Sequence, residues 1–170
     1  YTFMIGRVDT GDMEISTLAP LWIPVSDIFG MKLDKPVNAG PQHYLRNAAF
    51  SHLERWVSDG SRPPSSVPLE TDQEGLVTDE LGIAMGGIRT PHVDVPTSVL
   101  SGTGNRGQDV AFLAGTTTPL DRNRLIEMYA SKDEYMQRFA SATEDAVSNG
   151  YFLVEDAKEI DSVAAFNSPL

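Results

Sequence analysis

The chain of 170 residues contains no cysteine, and this absence removes several classes of site. Disulfides, thiolate-ligated metal centres and a cysteine nucleophile are all excluded. The absence assigns no compartment, because secreted proteins can also lack cysteine. The localisation therefore stays open.

Positive charge is also scarce. Lys and Arg number 13 against 24 Asp and Glu, which gives a net charge of −11, and the basic residues are scattered along the chain. No surface then offers phosphates a positive field, so we expect no nucleic-acid partner. No apolar run approaches the roughly 20 residues of a membrane-spanning helix, so we expect an acidic, soluble chain with no membrane partner.

The apolar content is high enough for a folded domain. The chain is 41% hydrophobic and 22% charged, which is typical of one globular domain with a sizeable core. Residues 1–30 are apolar but irregular, because Pro20 and Pro24 interrupt them, and a loop or lid is expected there. The sequence begins without an initiator Met, a basic n-region or a long apolar h-region. We expect no signal peptide, and expect these residues to come from inside a longer protein.

The stretch KPVNAGPQHYLRNAAFSHLERWVSDGSRPP predicts a loop followed by a helix. Pro41 supplies a preset φ at the first helical position, and Gly60 with Pro63-Pro64 supplies the end. Apolar residues recur at helical spacing at Leu45, Ala49, Leu53, Trp56 and Val57. The pattern predicts an amphipathic helix.

The middle of the chain predicts irregular structure with short strands. SRPPSSVPLETDQEG has the Pro and Ser content of a linker or an edge loop, and VDVPTSVL is the best strand candidate. Gly82, Gly86 and Gly87 do not have the G-x-G-x-x-G spacing of a nucleotide-binding loop. Turns and bulges explain these glycines better.

The final third predicts three helices. Thr118 is the expected N-cap of the first, with Pro119 at its first position and Asp121 in its first turn. Ser131 and Glu134 form a capping box for the second. Its apolar side and its end follow from Tyr135, Phe139, Ala142, Ala146 and Gly150. The segment EDAKEIDSVAAF predicts the last helix.

Three histidines are the natural candidates for acid–base chemistry. His43 falls in the first turn of the predicted helix, where the helix dipole favours the neutral ring, and no serine or carboxylate stands at a telling spacing from it. His52 lies on the flank of the apolar stripe, as expected of a histidine at the edge of a core. His92 could pair with Asp94, but residues two apart share a face of any strand.

Other catalytic patterns are missing. The sequence contains no G-x-S-x-G nucleophile elbow, and His43 and His52 are too far apart to match the i,i+4 pair of H-E-x-x-H. The carboxylates of TDQE and TDE match no calcium loop. We therefore expect no metal, no cofactor and no catalytic residue in this chain.

Several longer strings carry a family resemblance. NAGPQHY, RWVSDG, GGIRTP and GTTTPLD, within a match over nearly all of residues 35–165, resemble the C-terminal part of bacterial alpha/beta-hydrolase domain proteins, which are serine-hydrolase or esterase-like. The resemblance implies an α/β fold, with residues 1–64 as loop or lid plus the last helix of the hydrolase core. Residues 65–170 would be a mixed extension of short strands and three C-terminal helices packed on it.

The resemblance also implies where the chemistry lies. Family members carry Ser, acid and His in that order, and all three would lie upstream of this chain. Asn38, Gln42 and His43 would follow the catalytic histidine closely and line the substrate pocket as wall residues. The implied partners are the N-terminal α/β-hydrolase part, in the same precursor or as a second chain, and a small ester-like substrate. The alternative is a non-catalytic protein-binding or scaffold module.

Overall fold

A computed structural model of the chain describes residues 33, 35–106 and 111–170. Its helices and strands, in chain order, are α1 (Gln42–Asp59), α2 (Pro91–Asp94), β1 (Ser98–Ser101), a 3-10 helix (Ala111–Ala114), β2 (Thr116–Pro119), α3 (Arg122–Met128), α4 (Lys132–Ser148) and α5 (Val154–Asn167). The loop or lid expected over residues 1–30 lies outside the described residues.

Helix α1 forms where the sequence predicts it. Pro41 is the residue before the helix rather than its first member, one position from the expectation. Gly60 ends the helix in the left-handed conformation, at φ 81°, and its N–H donates to the carbonyl of Trp56 over 3.1 Å. A glycine adopts this conformation without the steric cost that a Cβ brings, which confirms the predicted stop.

The side of α1 that packs against the rest of the chain is not the one that the apolar stripe predicts. Tyr44 and Ala48, one turn apart, are the buried residues of the helix. Four residues of the predicted stripe are exposed to solvent instead, and so is Phe50. The four are Ala49, Leu53, Trp56 and Val57. Periodicity locates an apolar side correctly but does not say which neighbour covers it.

The Pro- and Ser-rich segment after α1 is more ordered than a linker. Leu69 and Thr71 of this segment form isolated antiparallel bridges with Gly86 and Leu76, and Thr78 and Ala84 form a third bridge just after it. Gly86 has φ +74°, and a Cβ there would lie 2.3 Å from the carbonyl oxygen of Pro68. The turn assigned to this glycine is confirmed, and the close approach of two backbones explains why no side chain fits.

The strand expected over VDVPTSVL is only half right. Its first part belongs to α2, because Thr90 is extended and Pro91 then sets the helical φ at the first position. The second part forms β1, which pairs antiparallel with β2 in the register Ser98↔Pro119 to Ser101↔Thr116. His92 and Asp94 therefore lie on a helical turn and not on one side of a strand.

Helix α3 begins later than predicted, because the residues expected at its start belong to a strand. Thr118 and Pro119 pair in β2, and the helix begins after Asp121. The Asp121 carboxylate accepts hydrogen bonds from the backbone N–H groups of Asn123 and Arg124 over 2.9 and 3.0 Å. Asp121 is thus the N-cap, and the expectation of Thr118 in that role is wrong.

Helices α4 and α5 supply half of the buried core residues. The Ser131 hydroxyl caps α4 by accepting from the N–H of Glu134 over 3.1 Å, while the Glu134 carboxylate accepts from Ala130 instead of Ser131. Buried residues from α1 through α5 form one cluster: Tyr44, Val95, Leu125, Tyr129, Tyr135, Phe139, Ala146, Phe152, Ile160 and Ala164. The three C-terminal helices are confirmed. None of the described helices combines the length and apolarity that crossing a bilayer requires.

Candidate functional site

The loop that leads into α1 lies along β2 and is fixed there by hydrogen bonds. Thr117 donates its N–H to the carbonyl of Pro36 over 3.0 Å and its hydroxyl to the carbonyl of Val37 over 2.7 Å. The same hydroxyl oxygen accepts the N–H of Ala39 over 2.8 Å. The loop therefore runs as an added edge beside the two-stranded sheet, so the start of α1 has a defined position.

A buried asparagine reinforces this arrangement. The Asn105 amide donates to the carbonyls of Lys35 and Gly115 over 3.1 and 2.7 Å, and its oxygen accepts the N–H of Lys35 over 3.3 Å. Asn105 is only 4% exposed. Reasoning from sequence missed both Asn105 and Thr117, because their partners lie far away along the chain and no local pattern marks them.

Asn38 makes hydrogen bonds from both its side chain and its backbone. Its side-chain amide donates to the carbonyl of Ser101 over 2.9 Å, and its oxygen accepts from the N–H of Gly40 and from the Gln42 amide over 2.9 and 3.1 Å. Its backbone N–H donates to the carbonyl of Ala114 over 2.9 Å. Asn38 thus joins the sheet to the first residue of α1 and orients Gln42.

Gln42 and His43 retain hydrogen-bonding atoms inside the protein. Gln42 Oε1 and His43 Nε2 are buried and have no hydrogen-bond partner in the structure. Burial lowers the pKa of His43, and the carboxylates of Glu159 and Asp156 oppose this effect. The ring is thereby kept neutral near pH 7, when one nitrogen donates and the other accepts. Side chains of this kind can orient a polar neighbour.

His92 is the second residue of α2. Its Nδ1 is buried without a partner, and its ring packs edge-on against Phe139 with the ring centroids 5.2 Å apart. Burial lowers the pKa of His92 to about 4, with a smaller contribution from the charge of His43. The suggested pairing with Asp94 is wrong, because Asp94 accepts from Nε of Arg89 over 2.7 Å.

His52 is separate from these residues. It is half-buried, as expected of a residue at the edge of the core, and its Nε2 lies 2.7 Å from the carbonyl oxygen of Gly150. Arg55 approaches its Nδ1 at 2.7 Å. Both ring nitrogens are therefore occupied by structural contacts.

The junction between the loop and α1, which contains Asn38, Gln42 and His43, is suited to positioning rather than to proton transfer. A general base needs a nucleophile within hydrogen-bond reach and a third group that orients it, and His43 Nε2 has no hydrogen-bond partner in the described part of the chain. In residues 33, 35–106 and 111–170 no group of three or more His, Asp or Glu side chains is arranged to hold a metal ion. Two open grooves beside α4, which share Asp94, Ala142 and Asp145, do not include Asn38, Gln42 or His43.

Comparison with known proteins identifies the family. A family model described as an alpha/beta hydrolase domain matches residues 10–162, which is most of the chain. No curated protein and no solved structure gave a significant match. The helices and the short antiparallel sheet agree with part of an α/β fold. By the extent of the family match, the chain belongs to the alpha/beta hydrolase domain family.

Proposed function

We propose that this chain is the C-terminal part of a serine hydrolase that cleaves a carboxylic ester or a related acyl bond. Membership of the alpha/beta hydrolase domain family supports a hydrolase-like function. The sequence has no G-x-S-x-G elbow, so the serine, acid and histidine of the triad are assigned to a part of the protein upstream of Tyr1. That N-terminal α/β-hydrolase part belongs to the same precursor or to a second chain.

The observation that carries this placement is the apolar surface of α1. Phe50, Leu53, Trp56 and Val57 are 70%, 50%, 52% and 81% exposed. A helix of 18 residues with one side in the core and an apolar stripe on another is expected to pack between two layers. We assign α1 as the last helix of the hydrolase core, with its stripe against the main sheet.

The division of the chain follows from the same assignment. Residues 1–64 belong to the hydrolase core and its lid, and residues 65–170 form an extension packed on them. The bonds from Asn38 to Ser101 and from Thr117 to Val37 support this packing, because each joins one part to the other.

Asn38, Gln42 and His43 then border the active-site cleft. Asn38 holds the Gln42 amide, and Gln42 Oε1 and His43 Nε2 bring hydrogen-bonding capacity to a small ester-like substrate or to the loop of the catalytic histidine. The reaction proceeds through an acyl-enzyme on the upstream serine, with an oxyanion hole that stabilises the tetrahedral intermediate. No residue of this chain transfers the proton.

A covalent serine-hydrolase probe tests the proposal. A fluorophosphonate is applied to the protein from its native source, and the labelled peptide is located by mass spectrometry, with a heat-denatured sample as the control. We expect a label on a serine outside these 170 residues, in a longer chain or a firmly bound second one. A label within this chain contradicts the placement of the triad. A native protein of this length that takes no label supports the non-catalytic binding or scaffold module.

A further inference from the structure

Residues 67–87 form a small ring of three backbone segments. The N–H of Glu70 donates to the carbonyl of Met85 over 3.0 Å, that of Met85 to the carbonyl of Val77 over 2.9 Å, and that of Val77 to the carbonyl of Glu70 over 3.0 Å. The three isolated bridges lie directly beside these hydrogen bonds. The pairing therefore fixes which side chains share one face of the ring.

One face of this ring carries exposed leucines. Residues paired across an antiparallel bridge lie on the same side, and so do residues two apart in an extended segment. By this rule the six bridged residues share a face: Leu69, Thr71, Leu76, Thr78, Ala84 and Gly86. Leu69 and Leu76 are 48% and 54% exposed, and they are diagonal neighbours because Leu76 is paired with Thr71. The two leucines therefore present one apolar area to solvent.

The two ends of the ring enlarge this area. Val67 and Ile88 are exposed as well. The carbonyl of Val67 accepts the N–H of Gly87 over 3.1 Å, and a Cβ on Gly87 would lie 2.7 Å from Leu69 Cδ2. Leu69 thus packs over the glycine that joins the two ends. Val67, Leu69, Leu76 and Ile88 together form an apolar surface that we call the ring patch.

The ring patch lies in a region of negative charge. Residues 65–88 contain no Lys or Arg and five acidic residues, which are Glu70, Asp72, Glu74, Asp79 and Glu80. Glu80 pairs with Arg124 over 3.3 Å, and within the described ranges the other four form no salt bridge. Glu70 directly follows Leu69, and Glu74 stands two residues before Leu76. The exposed apolar side chains are therefore accompanied by carboxylates that no cation balances.

We propose that the ring patch is a docking surface for a basic segment of another protein that also carries apolar side chains. The apolar side chains of that segment cover Leu69 and Leu76, and its Lys or Arg side chains pair with Glu70 and Glu74. A second copy of this chain fits poorly, because each copy brings a net charge of −11 and the same carboxylates. Anionic lipid surfaces are repelled for the same reason. The docking surface does not depend on the proposed hydrolase function.

A hydrogen-exchange footprint locates the docking surface. The probe is a peptide that alternates Leu and Lys, and its control is a peptide of equal length that alternates Leu and Glu. We expect the Leu–Lys peptide to slow exchange roughly tenfold within residues 67–88 of the 170-residue chain, and to leave residues 50–57 of α1, which include Arg55, unchanged. The Leu–Glu peptide should give no footprint. A footprint confined to α1, equal footprints from both peptides or no footprint from either overturns the proposal.

Matched variants test the apolar part of the surface. Leu69→Gln with Leu76→Gln should weaken binding of the labelled Leu–Lys peptide roughly tenfold, as measured by fluorescence anisotropy. The control pair is Ile126→Gln with Val154→Gln, at positions of α3 and α5 that are also exposed, and it should bind as the wild type does. Equal affinity of the two double variants overturns the proposal.

A second pair of variants tests the charged part and leaves the apolar residues in place. Glu70→Gln with Glu74→Gln should weaken binding roughly threefold and make it less sensitive to salt. Glu144→Gln with Glu155→Gln removes the same charge from exposed positions of α4 and α5, and it should have a smaller effect. Equal effects of the two pairs would show attraction to the net charge alone and overturn the proposal. So would sedimentation of the chain as a dimer that Leu69→Gln with Leu76→Gln dissociates, since the ring patch would then bind a second copy.

Discussion

His52 Nε2 lies 2.7 Å from the carbonyl oxygen of Gly150, and this hydrogen bond joins α1 to the end of α4. A carbonyl oxygen only accepts, so Nε2 carries the hydrogen, and Nδ1 accepts from the Arg55 guanidinium at 2.7 Å. The contact thus selects one tautomer of the ring. It also differs from the setting of His43, whose buried Nε2 has no partner in the structure.

The first prediction concerns Gly150. Its φ is +77°, and a Cβ there would meet Pro64 at 3.1 Å and His52 at 3.2 Å. Gly60 is a matched control, since it has φ +81° but nothing within 4 Å of its Cβ position. Gly60→Ala should lower the free energy of unfolding by about 1 kcal/mol through the backbone conformation alone. Gly150→Ala should lower it further, as measured by urea denaturation, and equal losses would show that the crowding has no cost.

The second prediction concerns the apolar stripe of α1. With Leu53 and Val57 50% and 81% exposed, the chain on its own should bind a hydrophobic dye or self-associate. The double substitution Leu53→Gln and Val57→Gln should reduce dye fluorescence well below that of the wild type. Phe112→Gln, at a 62% exposed position outside α1, should change it little. A monomeric chain that unfolds cooperatively and binds no dye would support the independent module.

The third prediction separates two candidate caps of α3. Asp121→Ala removes the acceptor for two backbone N–H groups and should lower the free energy of unfolding by about 1 kcal/mol. Thr118→Ala, at an exposed position of β2, should cost less, because Thr118 caps nothing. Chemical denaturation of the two variants measures the difference. A larger loss for Thr118→Ala would restore the N-cap that the sequence indicates.

The fourth prediction concerns alkaline pH. Burial raises the pKa of Tyr129 and Tyr135 to about 12, from 10.0. Between these values the unfolded chain releases protons that the folded chain retains, so the free energy of unfolding must fall as pH rises from 10 to 12. Denaturation at several pH values measures the slope, and Tyr135→Phe should make it shallower. An unchanged slope in this variant would mean that Tyr135 ionises normally in the folded state.

The fifth prediction tests the role of His43 in the complete enzyme. Loss of a supporting hydrogen bond costs about 1–3 kcal/mol, so His43→Ala should lower activity by roughly ten- to a hundredfold. His52→Ala, on the same helix but bound to Gly150, should leave activity near that of the wild type. Complete loss of turnover in a folded His43→Ala variant would make His43 a catalytic base. Unchanged kinetics would move the junction away from the cleft.

Local signals in the sequence predict local structure well. Gly60, Ser131 and Gly150 mark helix boundaries through contacts within a few residues, and each acts as expected. Competing local signals are less reliable. Thr118 and Asp121 are both N-cap candidates in front of the apolar residues of α3. Because Thr118 pairs with β1 as part of β2, Asp121 becomes the N-cap.

Long-range contacts could not be predicted in this way. The bonds of Asn105 to Lys35 cross 70 residues, and no composition or spacing announces them. Thr90 and Pro91 favour the start of a helix, whereas the β-branched residues nearby favour a strand. The structure forms the helical turn. The site was located by family resemblance, and its roles at Asn38, Gln42 and His43 stay predictions.

The bonds between Thr117 and the loop before α1 also set an order of events during synthesis. The Thr117 hydroxyl meets Ala39 and Val37 across 78 and 80 residues. Closing a loop of this length costs more entropy than forming the local bridges and helices between its ends. On the ribosome, Thr117 is made long after Val37, so the loop before α1 stays unpaired until about two thirds of the 170 residues have been made. An mRNA truncated before the codon for Thr117 would yield α1 without the strand that fixes its start.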